Sequence, residues 1–89
     1  MIRGWKNSAA KEAFEGLTPK GFSQEIARAA RRRLAQLDAA AELRDMASPP
    51  GNRLHKVGDV WAVRVNDQFR ITFTWGPDGP MDVWLGDYH

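Results

Sequence analysis

Two short runs of alternating residues on either side of Asn66-Asp67 constrain this chain more than any other feature. Trp61, Val63 and Val65 alternate with Ala62 and Arg64, and Phe69, Ile71, Phe73 and Trp75 alternate with Arg70, Thr72 and Thr74. Strand side chains point to opposite faces with a period of two, so each run has one apolar face. Asn66-Asp67 is a hairpin signal of the Asn-Gly kind. A strict two-residue loop there sets Val63 opposite Arg70 and Arg64 opposite Phe69, which mixes the faces. A three-residue loop or a bulge instead gathers Trp61, Val63, Val65, Phe69, Ile71 and Phe73 on one apolar face. The odd-length connection is therefore expected. It also brings Arg64 and Arg70 together on the opposite face, beside Thr72.

A second glycine-rich turn, Gly76-Pro77-Asp78-Gly79-Pro80, leads to a last strand from Met81 to Asp87, with Met81, Val83 and Leu85 inward. Its two prolines lack the N–H donors a phosphate cradle needs, so it reads as a turn and not as a nucleotide loop. Upstream, Met1 to Lys6 reads as a short strand with Ile2 and Trp5 inward. Asn7 or Ser8 caps a brief helix that ends near Phe14 and Leu17, with Gly16 supplying a left-handed cap. Ser23 caps a longer helix, free of Gly and Pro through Leu43, with Glu25 in its first turn. Ile26, Ala30, Leu34, Leu37 and Ala41 form its apolar stripe, and Arg28, Arg31 and Arg32 fall largely outside it. These arginines suit either a solvated face or a ridge for RNA phosphates or an acidic protein. Ser48-Pro49-Pro50-Gly51-Asn52 breaks the chain before the sheet. The expected fold is α+β: a small antiparallel sheet with the N-terminal helices packed on one face, in one domain spanning 1–89.

Composition narrows the function classes. Hydrophobic residues at 43% and charged residues at 27% are globular values that argue against disorder. The absence of cysteine rules out a disulfide staple. No apolar run is long enough for a membrane span, and none follows Arg3 and Lys6 as a secretory signal requires, so a cytoplasmic protein is expected. Residues 1–56 carry eleven Lys or Arg against six acids, whereas 57–89 carry two against five. Such an uneven field steers polyanions or acidic partners.

The chain has two histidines, His55 and His89. With Asp87, Tyr88, Arg64 and Arg70 they supply what phosphodiester cleavage needs. A base takes the 2′-hydroxyl proton, an acid protonates the departing 5′-oxygen, and a fixed cation holds the charge building on phosphorus. Histidine titrates near working pH, and the arginine fork matches phosphate oxygens. A metal site is not expected, since the histidines lack helical ligand spacing. Ser8, Ser23 and Ser48 read as caps and loop residues, not nucleophiles. The tryptophans read as core and sheet cover, except Trp84, which lies on the strand face opposite Val83 and Leu85.

Several motifs together resemble one family. Ile2-Arg3-Gly4-Trp5, Arg31-Arg32-Arg33-Leu34 with Leu37-Asp38-Ala39-Ala40, and Leu54-His55 look like the plasmid-maintenance killer proteins. Val63-Arg64-Val65-Asn66-Asp67-Gln68-Phe69-Arg70-Ile71-Thr72-Phe73 and the closing Asp87-Tyr88-His89 are similar to the same group, the HigB branch of the RelE/ParE toxin superfamily. The resemblance implies a toxin that cleaves mRNA on the 70S ribosome, is neutralised by a HigA-like helix-turn-helix antitoxin, and needs no cofactor or metal. It implies His55, Asp87, Tyr88 and His89 as catalytic residues together with Arg70 as the phosphate-binding arginine; Arg64, Lys56 and Trp84 are expected as substrate contacts. The segment from Leu54 to Trp61 is shorter than the family's usual one, so Lys56 has no strict counterpart there. The alternatives in the same fold are a toxin that poisons a protein such as DNA gyrase, and a degenerate antitoxin-binding module.

Overall fold

The computed structural model describes residues 1–87; the expectations placed on Tyr88 and His89 lie outside the described residues. Two helices, α1 (Ser8–Phe14) and α2 (Gln24–Ala39), precede two 3-10 turns (Leu43–Ala47 and Pro50–Asn52). Four strands follow: β1 (His55–Val57), β2 (Val60–Arg64), β3 (Phe69–Gly76) and β4 (Gly79–Asp87). They form an antiparallel meander in the order β1-β2-β3-β4. The architecture is α+β, as expected.

The β2–β3 register follows the burial argument. Trp61 pairs with Phe73, Val63 with Ile71, and Arg64 with Arg70, which leaves Asn66, Asp67 and Gln68 as a three-residue loop. The Asn66 side-chain oxygen accepts from the backbone N–H groups of Gln68 (2.9 Å) and Phe69 (2.7 Å), closing that loop. Val63, Val65, Phe69, Ile71 and Phe73 are buried on the helix-facing side with Ala30, Leu34, Leu37, Val83 and Leu85.

Three expectations are corrected. Met81 is exposed, because pairing shifts by one residue between Thr72 and Thr74. Asp82 is the extra residue and takes a left-handed φ of 52°. A one-residue bulge flips the residues beyond it to the other face, so Pro80 is buried and Met81 is not. Helix α2 stops at Ala39 and does not run on to Leu43, because Asp45 accepts from the N–H groups of Ala41 and Glu42 and starts a 3-10 turn. The N-terminal segment is not a regular strand. It lies parallel to β4 through a single bridge, Trp5 to Val83.

That segment ends at Asn7, whose side chain joins three elements. Its oxygen caps α1 at the Ala10 N–H (3.1 Å) and also accepts from the Leu85 N–H (3.2 Å). Its amide donates to the Leu85 carbonyl (2.8 Å). Asn7 thus acts as one rung of a strand beside β4 while starting a helix. Replacing Asn7 with Ala should cost about 2–3 kcal/mol, one part for the lost cap and one for unpaired Leu85 groups. Asn7→Asp, which keeps the acceptor and loses the donor, should fall between. Urea denaturation of the three proteins measures the order.

Candidate active site on the open face of the sheet

The sheet face away from the helices carries His55, Arg64, Arg70 and Trp84, with Ala62 and Thr72 buried between them. Directly paired residues share a face, so the pairings His55–Ala62, Ala62–Thr72 and Thr72–Trp84 define one row across all four strands. The next row toward the hairpin holds Arg64, Arg70 and Gly86. His55 is therefore the diagonal neighbour of Arg64, within about 7–8 Å between α-carbons, and Arg70 lies one strand further. The face expected for Arg64, Arg70, Thr72 and Trp84 is the one observed.

Each of these groups is held. The Nδ1 of exposed His55 lies 2.6 Å from the Arg53 carbonyl. A carbonyl only accepts, so Nδ1 carries the proton and Nε2 is the nitrogen left to exchange one. Arg70 donates through Nη1 to the carbonyls of Asn66 (2.5 Å) and Phe69 (3.1 Å), which fixes the guanidinium plane at the mouth of the hairpin. Arg64 forms an ion pair with the exposed Asp67 carboxylate. The hydrogen bond and charge of Arg64, then the charges of Arg53 and Arg70, hold that carboxyl below the usual carboxylate range. Asp67 is consequently ionised at neutral pH. Its pairing is lost only as acidification passes through that depressed value.

Two arginines directly opposite each other repel, so this pairing costs stability. Asp67 offsets it only in part, because exposed ion pairs contribute little. A like-charged pair kept at such a cost is suited to a polyanion.

Trp84 lies over Gly86. A Cβ on that glycine would stand 2.5 Å from the indole Cζ2, so the missing side chain is the space the indole fills. This sets the half-buried indole beside Arg70, whose β4 partner is Gly86. A hollow of about 190 Å³ opens here, lined by Lys6, Val60, Thr72 and Trp84. Lys6 and Arg53 were not singled out in the sequence. Arg53 stands before β1 in a left-handed turn conformation, so strand alternation does not mark it.

Two expected residues do not join this row. Lys56 pairs with Trp61, on the helix-facing side, and its Nζ lies 5.9 Å from the indole centroid. Strand alternation separates it from His55. Asp87 pairs with Phe69, and its carboxylate accepts from the Gln68 side-chain amide (3.0 Å). It stands at the hairpin end of β4, next to the Arg70 row but in register with the other face. A separate cleft of about 270 Å³ between α1 and α2 is lined by Leu17, Arg28 and Arg31 and carries none of the expected catalytic groups.

Gly86→Ala should displace the Trp84 indole and cost about 1–3 kcal/mol by overpacking. The indole N–H resonance of Trp84 should move while those of the helix-facing tryptophans stay, as two-dimensional NMR with a denaturation curve would report.

Comparison with known proteins agrees with this architecture. Residues 6–89 match the family model described as the RelE-like toxin HigB of type II toxin-antitoxin systems. Over 58 residues the chain is 44% identical to Toxin HigB-1 of Vibrio cholerae serotype O1 (strain ATCC 39315 / El Tor Inaba N16961). That match covers 61% of this chain and 61% of the relative. With the family model spanning nearly its whole length and the α+β meander that the model implies, this chain belongs to the HigB-like toxins of type II toxin-antitoxin systems.

Proposed function

We propose that this chain is a ribosome-dependent endoribonuclease that cuts translated mRNA in the cytoplasm and is held inactive by a HigA-like helix-turn-helix antitoxin. The observation that carries the reading is the juxtaposition on one open face of His55, with Nε2 presented, and the opposed Arg64 and Arg70.

In this reading His55 Nε2 takes the proton from a ribose 2′-hydroxyl. The 2′-oxygen attacks the adjacent phosphorus, and the bond from phosphorus to the 5′-oxygen breaks. His89, which follows Asp87 and Tyr88 in the sequence, is assigned the protonation of that departing oxygen. The products are a 2′,3′-cyclic phosphate and a free 5′-hydroxyl. Arg70, already fixed by two carbonyls, meets the charge on the phosphoryl oxygens without reorganising, which is where a preorganised donor contributes most. Trp84 offers its indole face to a base next to the cut, and Lys6 closes the hollow. No step calls for a metal. Among the described residues no cluster of His, Cys, Asp and Glu is arranged to hold one, and no helix is long and apolar enough to cross a membrane.

Arg70→Ala should lower cleavage of ribosome-bound mRNA by about 10²–10³ with the fold intact. Arg70→Lys should recover little, since a point charge does not reproduce two-pronged phosphate contact. Mapping mRNA 5′ ends after induction, with circular dichroism as control, reads both. Intact mRNA accompanied by DNA-damage signalling would favour a gyrase-type target instead.

His89→Gln should abolish cleavage while melting temperature and antitoxin affinity stay near those of the parent protein. Undiminished cleavage by the folded variant would remove His89 from the acid role.

A further inference from the structure

We propose that Arg53, Arg64 and Arg70 form one phosphate subsite whose resident anion is the Asp67 carboxylate, displaced when an RNA phosphate arrives. This rests on the RNA-cleaving reading of the open face and deepens it, by adding Arg53 as a substrate contact and Asp67 as a built-in competitor.

The placement follows from register and charge. Arg64 and Arg70 are direct cross-strand partners. The β1–β2 pairing begins at His55 opposite Ala62; Arg53 stands two residues before His55, in the turn that leads into β1, and Arg64 two residues after Ala62. Arg53 is held in a left-handed conformation (φ 49°), with its carbonyl tied to the His55 ring. The Asp67 carboxylate bonds to Arg64, and the charges of both Arg53 and Arg70 also act on it. One guanidinium, that of Arg64, thus holds the carboxylate directly, and the charges of Arg53 and Arg70 lie near enough to act on it.

That carboxylate is a poor permanent occupant. Its side chain is 99% exposed, whereas the Arg64 side chain is only 27% exposed. An exposed ion pair contributes little to stability and is easily exchanged. A phosphate bears the same sign with more oxygens, which suits arginine forks better than one carboxylate does. Asp67 also sits at the centre of a three-residue loop whose closure is made by Asn66, so its side chain can swing away with the loop intact. In the absence of RNA it screens the repulsion between the arginines. In its presence it competes, so that phosphates held at several points are favoured over a free anion.

The test uses the full chain, with inorganic phosphate and a 2′-O-methyl tetraribonucleotide, which cannot be cleaved, as probes. Binding is followed through the side-chain Nε–H resonances of Arg53, Arg64 and Arg70. Asp67→Asn keeps an acceptor for Arg64 and removes the charge. It should bind both probes about fivefold more tightly than the parent, and Asp67→Ala should do at least as well. Arg53→Gln should weaken both probes by a similar factor. If Asp67 instead served to position Arg64, Asn would change nothing and Ala would weaken binding; either result overturns the proposal, as does absence of binding to parent and Asp67→Asn alike. Measured beside these, cleavage of ribosome-bound mRNA keeps the two readings apart. Tighter probe binding by Asp67→Asn in a protein that leaves mRNA intact would retire the nuclease and retain the subsite.

Discussion

The register of the β2–β3 hairpin is the constraint on which the rest of this molecule depends. A slip of one residue would bring Arg64 or Arg70 into the helix-facing core and push Val63 or Ile71 into water. Burying an unpaired guanidinium costs several kcal/mol, and each exposed aliphatic side chain forfeits about 1.5–3 kcal/mol of burial. Both penalties select the same pairing. The Asn66 oxygen, bound to two successive N–H groups, closes the loop length that this pairing needs. The helices then cover the face that is apolar, and the arginines are left together on the face that is not.

That open face departs from what stability alone would choose. Opposed arginines, a glycine under an indole and a left-handed arginine backbone each cost something; Arg64, Arg70, Gly86 and Trp84 lie within two rows of the sheet, and Arg53 in the turn just before it. The helix-facing side shows no comparable concession: its buried residues are aliphatic and aromatic and close on one another. The contrast between a settled face and an unsettled one points to binding independently of any relative. The family match spans helices and sheet alike.

Which sheet face carries the arginines was legible beforehand. Period-two alternation put Arg64, Arg70, Thr72 and Trp84 on one face, and the structure agrees. The departures have separate causes. Met81 turned outward because a bulge at Asp82 resets the period, and nothing local announces it. Lys56, expected as a substrate contact, follows His55 directly in β1 and so faces the other way. Helix α2 ended early because Asp45, four residues beyond Ala41, offers its carboxylate to the backbone at that point.

Alternation, caps and turn residues by themselves determined where the two helices begin, the β2–β3 hairpin with its register and the identity of its apolar face, because each depends on neighbours a few residues away. The family was carried the same way, by short motifs in fixed order. Tertiary structure alone decided which distant groups meet. Asn7 forms a rung beside Leu85, Asp38 accepts from the Ile2 N–H, and Arg33 donates to the carbonyl of Arg64. Arg53 comes level with the hairpin arginines only once β1 has paired. Such contacts follow from how elements dock, where many small packing terms compete, and no local pattern encodes their sum.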